Sequence, residues 1–144
     1  MTRRRGNDLG ALWVQLARRP WTTLAVVSPD PSDAAARLAR ALAELAGTQH
    51  RLLEASDASE LKLKLSAAQG VGGPEGGAAE VPKHLRFLLP IDGALDKPAS
   101  AELLAACDSV VMVLEKGRSR LPDALSTVGL VGRERLVGAV LGIP

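Results

Sequence analysis

The sequence predicts an α/β domain: a mostly parallel, twisted sheet with helices on both faces, three layers in all. Two patterns predict it. Near-continuous apolar runs of strand length, at Leu24–Val27, Leu85–Leu89 and Ser109–Leu114, suit strands buried on both faces. Segments of helical period lie between them on short connections, as in strand–helix–strand crossovers. Composition agrees. Apolar residues, chiefly Ala, Leu and Val, make up 47% of the chain and aromatics 2%. Such small side chains let helices pack closely on a sheet. The 144 residues are expected to form one domain, 1–144, large enough for a real core.

The elements follow in order. Asp8–Arg18 reads as an amphipathic helix with Leu9, Leu12, Trp13 and Leu16 on one face, stopped by Pro20. Thr22–Val27 is a buried strand, and Ser28-Pro29-Asp30-Pro31 a tight turn. A helix starts at Ser32 or Asp33, carries Leu38, Leu42 and Leu45 inward, and ends before Gly47. Gln49–Leu53 is a short strand. Leu61-Lys62-Leu63-Lys64-Leu65 alternates strictly and predicts a half-exposed strand whose lysines would blunt an edge. The Gly-rich stretch 69–80 reads as a flexible loop. Strands are expected at Leu85–Leu89, Ser109–Leu114 and Leu136–Leu141, with helices near Ala99–Ala106 and Pro122–Val131.

Several function classes find no support. The net charge of +2 makes no global case for nucleic acid, and Arg3-Arg4-Arg5 reads as a solvated terminus. No apolar run approaches the roughly 20 residues of a membrane span, and no signal-peptide core follows the arginines. A single Cys107 excludes an intramolecular disulfide, suits the cytosol and reads as a buried, inert thiol. His50 and His84 have no Cys, His or carboxylate at ligand spacing, so no metal site is expected. No Gly-x-Ser-x-Gly elbow occurs. Asp108, ahead of a buried strand, reads as a turn-bonding residue. Lys116-Gly117-Arg118 reads as a solvated turn at the sheet edge where doubly wound folds place ligands.

The junction between the Leu24–Val27 strand and the next helix, Ser28-Pro29-Asp30-Pro31-Ser32-Asp33-Ala34-Ala35-Ala36, has the frame of a phosphate-binding loop. A working loop reads G-x-x-x-x-G-K-[ST], because glycines let N–H groups wrap the phosphates, the Lys neutralises charge and the hydroxyl binds Mg²⁺. Here Ala34, Ala35 and Ala36 stand for the second Gly, the Lys and the Ser/Thr. Thr22–Ala46 resembles the ATPase domain of the cytoplasmic tyrosine kinases of bacterial capsule and exopolysaccharide export, a deviant-Walker branch of the P-loop ATPases. Ala101–Leu141 resembles the same family from the helix after Walker B to the last core strand, with Gly142 where the family's base-contacting Asn usually stands.

The resemblance implies a P-loop NTPase-like fold with its chemistry degraded. Glu54 and Ser56 fall on the two Asp positions of the Walker A′ strand end. The Walker B Asp falls on Pro90, in Phe87-Leu88-Leu89-Pro90-Ile91-Asp92, and a slip of register brings Asp92 into the role instead. The expectation is a cytoplasmic pseudo-ATPase with no cofactor and no metal, a binding or scaffold module with a regulatory place in polysaccharide export. Its partner would be a protein, such as the family's membrane polysaccharide co-polymerase, or a second copy of the chain, with no nucleic acid and no membrane insertion. The stripe of Leu9, Leu12, Trp13 and Leu16 is the candidate interface. Asp8–Val14 lacks both Arg of the family's E-x-x-R-x-x-R assembly motif, and the chain has no Tyr to autophosphorylate. Two alternatives stand beside this reading. One is a divergent nucleotide-binding switch or enzyme that uses backbone N–H groups at the Asp33 helix. The other is an unrelated doubly wound regulatory domain, for which Glu54 and Asp57 make a poor acidic pocket.

Overall fold

The computed structural model describes residues 5–47, 50–68 and 86–141. The Gly-rich stretch 69–80, His84, Arg3-Arg4 and Gly142 lie outside the described residues. The elements are α1 (Arg5–Ala17), β1 (Thr23–Val27), α2 (Ala34–Ala46), β2 (His50–Leu52), α3 (Ala58–Ala68), β3 (Arg86–Ile91), α4 (Ser100–Ala105), β4 (Ser109–Leu114), α5 (Leu121–Val131) and β5 (Leu136–Leu141). A single 3-10 turn, Ala94–Asp96, follows β3.

The five strands form one sheet in the order β2-β3-β1-β4-β5, and every pairing is parallel. Its centre is β1, which aligns Leu24 with Leu88 on one side and with Ser109 on the other. All five β1 residues are buried, as expected of a strand covered on both faces. Strand alternation sorts the core into two halves. Leu24 and Val26 of β1, with Val111 and Val113 of β4, face Leu16 of α1 and Leu38 and Leu42 of α2. Ala25 and Val27, with Val110 and Met112, face Leu61 of α3, Leu103 and Leu104 of α4, and Ala124 and Val131 of α5. The three-layer reading holds: α1 and α2 cover one face, α3, α4 and α5 the other.

Pro90 sits inside β3, opposite Val26. A proline in an inner strand should cost a ladder bond. The β2 ladder ends at this point: its last bond runs from Leu53 N–H to Leu88 O at 2.9 Å, and Pro90, the next β3 residue facing that side, has no N–H to extend it. Groups two residues apart on a strand face the same neighbour, so the Pro90 nitrogen points past the end of β2.

Two expectations are corrected. Leu45 does not join the inward stripe of α2: it is 49% exposed, and Ala34, Ala35 and Ala39 complete the buried face with Leu38 and Leu42. Leu61–Leu65 is not an edge strand but the middle of α3. Leu61 is fully buried whereas Leu63 is 72% exposed, so the helix sends Leu61 and Leu65 (i, i+4) inward and Leu63 outward. The overlooked signal lies at its start. The Asp57 carboxylate accepts from Glu60 N–H at 2.8 Å, and the Glu60 carboxylate accepts from Ser56 N–H at 2.7 Å. This is an Asp-x-x-Glu cap. Lys64 then pairs with Glu60 at 3.1 Å across one turn. Alternating Leu and Lys satisfies both periods over five residues, and the cap decides between them.

The cap is testable. Asp57→Ala should destabilise the protein by about 0.5–2 kcal/mol in urea melts, as loss of an N-cap does. A strand at this place would leave the stability unchanged.

Candidate functional site

The crevice outside the carboxyl ends of β1, β3 and β4 is where a doubly wound sheet presents loops to a ligand. Three loops meet there. The loop after β1 is zipped to the loop after β3: Ser28 N–H donates to Ile91 O at 2.9 Å, Gly93 N–H to Asp30 O at 2.8 Å and Ala94 N–H to Ser28 O at 3.0 Å. Gly93 has φ +66, and a Cβ there would lie 3.2 Å from the Pro31 backbone. Only glycine suits both that conformation and that approach. Ser28 is fully buried, and its hydroxyl accepts from Asp30 N–H at 3.1 Å.

The start of α2 is the centre of the site. Asp33 precedes the helix without a side-chain cap bond. Ala34 N–H donates to Ser32 Oγ at 3.2 Å. Ala35 N–H and Ala36 N–H donate to the two oxygens of Asp92, at 2.8 and 3.2 Å. The next amide, Arg37 N–H, already bonds Asp33 O at 2.9 Å. The N–H groups of Ala34, Ala35, Ala36 and Arg37 each have an acceptor from the chain itself. Burial pushes the Asp92 carboxyl above its ordinary value; the Ala35 and Ala36 amides and Lys97 pull the other way without reversing it.

The loop after β4 closes the third side. Asp30 is 7% exposed, and Ser119 Oγ donates to its carboxylate. Ser119 Oγ in turn accepts from Glu115 N–H at 2.8 Å. Arg37 bridges Asp33 at 2.9 Å and Glu115 at 3.3 Å, tying α2 to the same loop. Beside it, at the ends of β4 and β5, lies a cleft of about 300 Å³ lined by Leu114, Lys116, Arg120, Leu121 and Leu141 among others.

The expected positions are thus distributed unevenly. Asp92, directly after β3, joins Ala34, Ala35 and Ala36. Pro90 stays in the sheet. Glu54 and Ser56 do not enter the crevice: Glu54 is exposed and gives its backbone oxygen to Lys64, while Ser56 serves the α3 cap. Among the described residues no group of three His, Cys, Asp or Glu side chains could hold a metal ion. Ser119, Glu115 and Arg37 had no sequence signal, because the contacts that join them to the other loops, Arg37 to Glu115 and Ser119 to Asp30, span 78 and 89 residues.

The other candidates have structural surroundings. Asp108 accepts from Thr22 N–H at 2.7 Å and Thr23 N–H at 3.2 Å, fixing the entry to β1. Burial, with Asp108 adding to it, pushes the Cys107 thiol up to about 12, so it is not a thiolate nucleophile. On α1, Leu16 is fully buried, and Leu9, Leu12 and Trp13 pack partly buried against the α2 side of the core. The stripe faces its own sheet. No helix among the described residues is long and apolar enough to cross a membrane.

No protein-family model matches the chain, and no curated protein does. Solved structures do. The chain is similar to a structure titled the kinase domain of VpsO, at 14% identity and a TM-score of 0.56, over 96% of this chain and 98% of that one. It is similar to the BceF tyrosine kinase domain at 17% identity and a TM-score of 0.60, over 96% of this chain and 77% of that one. At such identities the likeness shows the fold alone, a three-layer α/β domain around a parallel sheet.

Removing Asp92 should have two effects. Asp92→Ala leaves two helix-start amides without their acceptor and should cost about 0.5–2 kcal/mol in a urea melt. Asp92→Asn reports the titration. With its pKa raised in the native state, Asp92 keeps a proton that the unfolded chain has already released. The stability of the wild type relative to Asp92→Asn should therefore fall as pH rises from 3.8 through that raised value.

Proposed function

We propose that the chain is a P-loop ATPase-like domain that has given up nucleotide chemistry and works as a cytoplasmic binding or scaffold module. The observation that carries this reading is the pair of hydrogen bonds from Ala35 and Ala36 N–H to Asp92. They fill the anion seat with a carboxylate of the chain itself. Three further features support it. Ala34-Ala35-Ala36 supplies no Lys charge and no Mg²⁺ hydroxyl, Glu54 and Ser56 stand away from the crevice, and Asp30 is held by Ser119. The nucleotide-switch alternative needs backbone amides free at this helix start, and their engagement by Ser32 and Asp92 weighs against it.

The fold likeness to the VpsO and BceF kinase domains, together with the matched segments Thr22–Ala46 and Ala101–Leu141, supports a place beside bacterial polysaccharide export. On this reading the module has a regulatory role there. Its partner is a protein, either a membrane polysaccharide co-polymerase or a second copy of the chain.

Calorimetric titration tests the reading. Charge-assisted bonds contribute about 1.5–3 kcal/mol each, so losing the Lys and the hydroxyl contacts raises Kd by several orders of magnitude. ATP with Mg²⁺ should give no micromolar binding to the wild type. Ala34→Gly, Ala35→Lys and Ala36→Ser combined with Asp92→Asn should restore ATP-dependent thermal stabilisation, with little or no hydrolysis. The same three substitutions with Asp92 retained should respond more weakly, because the carboxylate competes for the amides. Micromolar binding to the wild type would overturn the reading. No stabilisation of the fourfold variant at millimolar ATP would favour the unrelated regulatory domain.

A further inference from the structure

The opposite, N-terminal edge of the sheet holds a second cluster of chemistry-bearing groups. His50 begins β2, and its ring is met by Trp13 of α1 at a centroid distance of 4.8 Å and by Trp21, ahead of β1, at 6.1 Å. The two indoles meet each other edge-on at 6.3 Å. His50 is half-buried, and its two ring nitrogens are shut off from solvent and find no hydrogen-bond partner among the described residues. Arg86, the register partner of His50 on β3, lays its guanidinium 4.5 Å from the Trp21 ring centroid. It also donates to Ala17 O at 3.3 Å and Arg19 O at 3.0 Å, while Trp21 Nε1–H donates to Leu16 O at 2.7 Å. The end of α1 is thus held by Arg86 and Trp21, and its body rests on the cage through Trp13.

We propose that His50 is a proton-operated latch for α1: taking up a proton on the caged imidazole loosens the Trp13–Trp21 cage and lets α1 lift from the sheet. The imidazolium has two N–H donors, and the cage offers neither an acceptor. Among the described residues its neighbours supply no compensating negative charge. From α1 the group facing it is Trp13, from the turn before β1 it is Trp21, and from β3 it is Arg86. Arg51 of β2 and Glu44 of α2 are exposed. Burial first, and the Arg86 charge second, hold the His50 pKa below its ordinary 6.5.

The sign follows from linkage. With α1 lifted, the imidazole returns to its ordinary value, so the open form gains the proton near pH 6.5 while the closed form stays neutral. Opening therefore becomes about tenfold easier for each pH unit below that value, until the pKa of the caged ring is passed. Lifting α1 exposes Leu16, fully buried in the closed form, together with Leu9, Leu12 and Trp13. The latch does not depend on the proposed function, and its failure leaves that reading standing.

Amide exchange on the full chain tests it. Between about pH 7.5 and 5.5 the exchange of α1 amides, corrected for intrinsic chemistry, should rise by up to about tenfold while β1 and β4 stay protected. Both tryptophans of the chain line the cage, so their emission should shift over the same range. His50→Phe keeps an aromatic ring that takes no proton, and both responses should vanish. Should that variant not fold, His50→Gln and an NMR titration of the wild-type imidazoles serve instead. A flat wild type, an equal response in either variant, or a native His50 that titrates at or above 6.5 would each overturn the latch.

Discussion

A helix that starts against the crevice of a parallel sheet brings N–H groups with no intrahelical acceptors, and the C-terminal edge of this protein is organised around satisfying them. Ser32 Oγ takes one amide of α2 and the Asp92 carboxylate takes two. Asp92 follows β3 whereas α2 follows β1, so closing the helix start also closes two loops on each other. The zipper between Ser28, Asp30, Ile91, Gly93 and Ala94 is the backbone expression of that closure. Its tightness explains the left-handed glycine at position 93, where a side chain would meet Pro31.

An internal carboxylate has an advantage over a dissolved phosphate at this seat. It is already in place, so it loses no translational freedom on binding and acts at a high effective concentration. The helix dipole that would attract a phosphate, worth on the order of 1 kcal/mol, is spent on Asp92 instead. A dianion entering would have to displace a half-buried carboxylate and remain close to it, which adds repulsion. Asp30 presents a further acidic side chain at the same edge, tied to Ser119.

The two ends of the sheet contrast in their physical means. At the carboxyl ends, polar groups cross-link loops through short hydrogen bonds. At the amino ends, aromatic rings do the joining, and a chain with two Trp and one Phe places both tryptophans at one spot. Trp13, Trp21, His50 and Arg86 come from α1, the turn before β1, and the first residues of β2 and β3. Together they dock α1 on the face that α2 covers. Hence the apolar stripe on α1, legible as a surface in isolation, packs against its own core.

Apolar runs and helical periods determined the α/β class, most of the elements and the two-sided burial of the central strands, because burial on a parallel sheet leaves its mark on every residue of a strand. The turn after β1 was legible in its Ser28-Pro29-Asp30-Pro31 sequence. Patterning failed at Leu61–Leu65, where five alternating residues fit a strand as well as a helix and the Asp57–Glu60 cap outweighs them. Only the tertiary structure decided that Asp92 rather than Pro90 faces the helix, that Glu54 and Ser56 belong elsewhere, and that Ser119 reaches Asp30. Those pairings join residues 57 and 89 positions apart. Local sequence records what a segment buries, but which acceptor meets which donor is set by strand order, and strand order exists only once the sheet has formed.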